Sequence, residues 1–191
     1  EISFNRITVD GDTSTNDACM LFASGGASAP EIDVQHDDFP AFKAALKEIF
    51  IELAQAIIRD AEGATKFVPV VVEQASCTQE ALDVAYTIAH SPLIKTALFA
   101  SDPNWGRILA ALGRAPVEAL DLSKVDIFLG DVRIVNAGEK CANYTESQGQ
   151  AVMDGEEITI QIKLGRGDFA ETVWTSDLSQ DYVKINAEYR T

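Results

Sequence analysis

Histidine and cysteine are scarce in this 191-residue chain: His36 and His90 are the only histidines, and Cys19, Cys77 and Cys141 the only cysteines. Two histidines leave almost no material for histidine-rich metal centres or histidine-based triads. Each reads instead as an ordinary surface or capping residue. Three widely spaced cysteines cannot close a disulfide framework or a zinc ribbon, so they are expected as reduced thiols of an intracellular protein. Positive charge is also short. Fifteen basic residues face 30 acidic ones, a net charge of −15 that argues against nucleic acid or an anionic membrane as partner. The longest apolar run, Phe67 to Val72, is far too short to span a bilayer, and no basic start leads into an apolar signal segment. A soluble, cytoplasmic protein is therefore expected. Initiator methionine is missing too: the chain opens on Glu1, with Ile2 and Phe4 already in a strand-like pattern, as expected for part of a longer gene product.

What is present is a globular composition, 47% apolar and 24% charged, in a length that suits one sizeable domain. Residues 3 to 9 and 18 to 24 read as short strands, and 25 to 30 as a breaker-rich loop. Phe39, Phe42, Leu46, Ile49, Phe50, Leu53 and Ile57 recur at three- and four-residue steps, which predicts a long helix over about 38 to 60 with this stripe in the core. A buried strand is expected at 67 to 73 and helices at about 78 to 90, 93 to 99 and 104 to 113, the last opened and capped by Asp102-Pro103. Period-two alternation then predicts strands at 125 to 129, 132 to 135, 158 to 164, 169 to 175 and 182 to 187. Helices in the middle and strands at both ends predict an α+β layered sandwich, with mixed or antiparallel sheets covered by helices, rather than a parallel βαβ fold. A strand-helix part (1–120) and a mainly β part (121–191) are expected within one unit.

Walker, dinucleotide-binding, nucleophile-elbow and zincin motifs are absent, and Gly165-Arg166-Gly167 reads as a turn. Four places could still carry chemistry. The run Asp10-Gly11-Asp12-Thr13-Ser14-Thr15-Asn16-Asp17 holds three carboxylates and three hydroxyls between apolar segments. Asp10, Asp12 and Ser14 open with EF-hand spacing, but Thr15 stands where the loop needs glycine and Leu21 where it needs glutamate. Self-bonding of side chains to nearby backbone N–H groups explains the run better. Ser101 to Arg107 packs an acid, an amide, a tryptophan and an arginine into a helix start, where Arg107 is expected to reach back to a carboxylate. Glu62, beside Gly63 at a helix-to-strand junction, is placed to face a cleft and accept hydrogen bonds from an ammonium. The C-terminal stretch from Lys184 to Thr191, read as a strand, would offer the amide of Asn186, the hydroxyl of Thr191 and the terminal carboxylate together.

Five blocks, Phe4 to Asp17, Glu62-Gly63-Ala64-Thr65-Lys66, His90-Ser91-Pro92-Leu93, Ser101 to Arg107 and Asn186 to Thr191, occur in the order seen in the ornithine acetyltransferase/N-acetylglutamate synthase family of arginine biosynthesis. The whole chain resembles the C-terminal, or β, portion of such an enzyme. That resemblance implies a fold of the self-cleaving N-terminal-nucleophile acyltransferase type. It implies an internal Ala-Thr cut whose freed threonine takes acetyl from N-acetylornithine and passes it to glutamate, a ping-pong transfer. No such Ala-Thr site precedes Phe4 here, so the nucleophile is expected upstream of Glu1 and no catalytic residue within the chain. Glu62, Asn186 and Thr191 are the substrate contacts implied on this half, Glu62 toward an ammonium or amide N–H and the other two toward the far polar end. The implied partners are the α chain of the same precursor and a second α/β pair, making a heterotetramer. N-acetylornithine, ornithine and glutamate are the implied small molecules. No cofactor or metal is implied, and acetyl-CoA enters only as an optional co-substrate. Two other readings compete: a related N-terminal-nucleophile amidase or aminopeptidase that passes the acyl group to water, and a non-enzymatic acidic calcium-binding module built round Asp10 to Asp17.

Overall fold

In the computed structural model, residues 1–188 are described. Six strands, β1 (Phe67–Ala75), β2 (Asp126–Leu129), β3 (Val132–Asn136), β4 (Glu139–Lys140), β5 (Ile160–Lys163) and β6 (Phe169–Ser176), form one sheet in the order β4-β3-β2-β5-β1-β6. The β1–β5 pair is parallel and the others are antiparallel, so the sheet is mixed, within the α+β architecture expected. Six helices accompany it: α1 (Phe39–Arg59), α2 (Thr78–Ala89), α3 (Pro92–Phe99), α4 (Trp105–Gly113), α5 (Glu146–Met153) and α6 (Gln180–Glu188).

The core lies where α2, α3 and α4 cover the centre of the sheet. Val68, Val70 and Val72 of β1 and Ile160 and Ile162 of β5 meet Ala81, Val84, Ala85 and Ile88 of α2 and Leu112 of α4, all buried. The short side chains on α2 let that helix sit close to the strands, and the β-branched residues fill the pleated surface opposite.

Several local expectations are overturned. Only Ile7 of residues 3 to 9 pairs with the sheet, in a single parallel bridge to Trp174, while Phe4–Arg6 form a 3-10 turn. Residues 18 to 24 are not a strand: Met20, Leu21 and Phe22 stand exposed, with no described strand edge beside them. An apolar run alone does not make a strand where no edge accepts its backbone groups. The α1 stripe is not core either. Phe42, Ile49, Leu53 and Ile57 are about half exposed, and only Ala54 and Ile58 are buried. Near its C-terminal end this helix is tied down by Ile58 and by Arg59, which pairs with Glu157 at 2.9 Å and lies 3.6 Å over the Phe67 ring.

At α4 the cap is Asn104, whose side-chain oxygen accepts the Arg107 N–H at 3.1 Å, and not Asp102. Asp102 instead accepts from the Asn104 amide, and Arg107 donates to the Leu93 carbonyl at 2.7 Å rather than to a carboxylate. Residues 182 to 187 are helical, not a strand. The Ser179 hydroxyl accepts the Tyr182 N–H at 3.1 Å, meeting one of the donors that the first turn of α6 leaves open. Helix α5 carries too little apolar periodicity to be read from sequence, since its eight residues are mostly polar and bury only Gly149 and Met153.

Candidate substrate cleft

Glu62 sits in the turn between α1 and β1. Gly63 holds φ at +67°, a left-handed conformation that glycine adopts without strain, and the Ala64 N–H closes the turn onto the Ala61 carbonyl at 2.9 Å. The exposed Glu62 carboxylate is met by α6: its Oε2 accepts the Asn186 amide at 2.9 Å, and the same amide donates to the Tyr182 carbonyl at 3.0 Å. Two of the three substrate-contact residues expected from the sequence therefore touch. Thr191, the third, lies outside the described residues.

Two side chains that sequence reasoning passed over hold this arrangement. Asp177 is 3% exposed and accepts three hydrogen bonds from one turn: the N–H groups of Thr65 and Lys66 at 2.8 and 2.9 Å and the Thr65 hydroxyl at 2.7 Å. Lys95 of α3 is equally buried and donates to the Thr175 hydroxyl at 3.0 Å and to the Ser176 carbonyl. Burial pushes the Lys95 ammonium down to about 8, against the attraction of Asp177 and Asp10. A lysine set among Leu93, Ile94, Ala97, Leu98 and Phe99 was the available signal. Asp177 had none beyond its polar turn.

A cleft of about 660 Å³ opens beside the Glu62–Asn186 pair, lined by Asp10, Asp12, Asp17, Asp60, Glu62 and Tyr182 among others, with no basic residue among the described residues of its wall. The five carboxylates of this wall create a negative potential that favours an ammonium over a carboxylate ligand. Tyr182 closes one side by donating to Asp10 Oδ2 at 2.7 Å, and this bond, with burial and the neighbouring acids, pushes its phenol up to about 12. Tyr182 thus remains a neutral donor in the cleft wall.

The Asp10 to Asp17 run is self-bonded, as its composition suggested. Asp10 Oδ1 accepts the Asp12 N–H at 2.9 Å, and Ser14 Oγ accepts the N–H groups of Asn16 and Asp17 at 3.4 and 3.2 Å. Among the described residues no group of three or more His, Cys, Asp or Glu side chains converges as a metal site. The run is a partition: Val9, Asp12, Thr13 and Ser14 line both the acidic cleft and a second one of about 530 Å³ on the side of Tyr86 and His90. There Thr8 Oγ1 lies 3.0 Å from His90 Nε2 and accepts the Gly11 N–H at 3.1 Å, so His90 props the start of the run.

Burial, with Lys95 and Arg114 nearby, lowers His90 below its usual 6.5, and Asp10 opposes this only in part. A base with a depressed folded-state value is protonated first in the unfolded chain, so its contribution to stability is present above about 6.5 and lost as pH falls through the folded value. The melting temperature should decline as pH falls below about 6.5, and His90→Gln should flatten that decline. Identical pH profiles for the two proteins would contradict the assignment.

No described helix is long and apolar enough to cross a membrane, and the three cysteines are free. The chain is 65% identical over 190 residues to the arginine biosynthesis bifunctional protein ArgJ of Pseudomonas fluorescens and 58% identical over 192 residues to that of Psychrobacter arcticus. It is covered at 99% and 100% in these two matches but spans only 47% of either relative's length. The crystal structure of the arginine biosynthesis bifunctional protein ArgJ from Bacillus halodurans superposes with a TM-score of 0.91 at 40% identity, covering 98% of this chain and 88% of that one. The ArgJ family model matches residues 1–191 throughout, and the chain therefore belongs to the ArgJ family.

Proposed function

We propose that this chain is the β-chain portion of an arginine-biosynthetic acetyltransferase that moves acetyl from N-acetylornithine to glutamate through a threonyl acyl-enzyme, the threonine lying outside the chain. The observation that carries this reading is the Glu62–Asn186 contact at the mouth of an acidic cleft. N-acetylornithine keeps a side-chain ammonium, and the five carboxylates around this opening suit that charge. In the transfer, the threonine hydroxyl attacks the acetyl carbonyl, its proton passes to the departing amine, and ornithine leaves. The amine of glutamate then attacks the acyl ester and releases the hydroxyl. The residues of this chain bind and orient. Glu62 accepts a hydrogen bond from a substrate N–H, while Asn186 occupies Oε2 and fixes the plane of the carboxylate. Thr191 is proposed for the far polar end of the substrate.

Among the described residues the cleft wall offers no cation to the carboxylates of glutamate, and we assign the positive groups that receive them to the α chain. The half-exposed row Phe42, Ile49, Leu53 and Ile57 on α1 supports the same division, because an apolar helix face of that length is normally covered by a partner. An α/β pair, doubled into a heterotetramer, is the assembly proposed, with acetyl-CoA an optional second acetyl donor and no further cofactor. Co-expression with the portion that its relatives carry tests the reading. Release of ornithine from N-acetylornithine should depend on glutamate and yield N-acetylglutamate in equal amount; release into water without glutamate would favour the amidase alternative.

A further inference from the structure

The Glu62 turn and the start of α6 are pressed together backbone to backbone. A Cβ at Gly63 would lie 2.5 Å from the Tyr182 nitrogen and 2.9 Å from the Ser179 hydroxyl. Between them the buried segment Thr175-Ser176-Asp177 is held from both sides. Lys95 grips Thr175 and Ser176 from α3, and its own carbonyl accepts the Leu178 N–H at 3.1 Å. The Asp177 carboxylate accepts its three hydrogen bonds from Thr65 and Lys66, three and four residues beyond Glu62. A carboxylate withdrawn from water to 3% exposure is costly unless donors replace its hydration, and here every donor comes from one turn. From Asp177 the chain reaches Ser179, Tyr182 and then Asn186, whose amide returns to Glu62. The two ends of this loop of contacts are the two proposed substrate residues.

We infer that Asp177 is a positioning residue, whose carboxylate holds the Glu62 turn in register with the helix that carries Asn186. This rests on the proposed roles of Glu62 and Asn186. Asp177 touches no substrate; it sets where Glu62 stands before substrate arrives, which affects binding more than the chemical step. Asparagine can keep much of the geometry, since its oxygen still accepts the two backbone N–H groups and its amide faces a Thr65 hydroxyl able to accept.

The test uses the enzyme assembled with its N-terminal portion and reads steady-state kinetics beside hydrogen exchange. Asp177→Ala should raise KM for N-acetylornithine about tenfold with kcat within about threefold, and Asp177→Asn should return KM to within about threefold of the unsubstituted enzyme. Amides of Thr65 and Lys66 and the side-chain amide of Asn186 should exchange about tenfold faster in Asp177→Ala, with the amides of Val70 and Val72 in β1 unchanged. Unchanged exchange at these groups overturns the inference, as does faster exchange with an unchanged KM, or a fall in kcat alone. If Asp177→Ala does not fold, Thr65→Val decides, because it removes only the hydroxyl donor: a KM rise of about threefold supports the anchor and no rise overturns it. An unsubstituted enzyme that transfers no acetyl would reject the proposed function instead, and the exchange rates would then judge the anchor alone.

Discussion

Glu62→Ala should lower kcat/KM for N-acetylornithine by about 10- to 100-fold, most of it through KM. A hydrogen bond to a charged group contributes about 1.5–3 kcal/mol, and each ~1.4 kcal/mol is a factor of ten. Glu62 is exposed at the end of a turn and takes no part in the core, so its loss should leave the fold and melting temperature almost unchanged. Glu62→Gln should recover only part of the activity, because the amide keeps an acceptor for Asn186 but offers the substrate ammonium no charge. Kinetics of Glu62→Ala indistinguishable from the unsubstituted enzyme would remove Glu62 from the site and with it the main support for the cleft.

Gly63→Ala should be the most damaging single change near the site, and through stability rather than chemistry. At φ of +67° a side chain costs about 1–2 kcal/mol from its own backbone conformation. The added carbon would also meet the Tyr182 nitrogen at 2.5 Å, and a backbone atom cannot rotate away as a flexible side chain can. The turn and the first turn of α6 must then separate, for a total of about 2–4 kcal/mol. The urea midpoint should fall, and trypsin should cut at Lys184 in α6 about tenfold faster than in the unsubstituted protein. An unaltered midpoint together with unaltered cleavage would show that the turn and α6 are not packed as described. Comparing the two variants separates the roles of neighbouring residues: Glu62→Ala loses activity in a stable protein, Gly63→Ala loses the platform.

The elements that could be read from the sequence are those with a strong pattern and a closed environment. Strand β1, the helices α2 to α4 and the alternation that became β5 lie in or against the core, where periodicity and burial agree. Reading failed where a pattern lacked a partner. Met20 to Phe22 and the α1 stripe are apolar yet exposed, because apolarity says that a surface should be covered without saying by what. Residues 182 to 187 alternate like a strand, but a Ser179 hydroxyl on the Tyr182 N–H and the Asn186 amide on the Tyr182 carbonyl commit them to a helix.

From sequence alone come the family and the residue types of the site, since Glu62, Asn186 and the acidic run are local motifs recognisable without coordinates. Tertiary structure alone decided that Glu62 and Asn186, 124 positions apart, share a hydrogen bond, that Asp177 anchors the turn between them, and that the Asp10 to Asp17 run divides two clefts. The physical reason is range. Backbone propensity and side-chain periodicity act over a few residues, whereas burial of Lys95 and Asp177 and the pressing of Gly63 against α6 follow from which surfaces the whole chain leaves to meet.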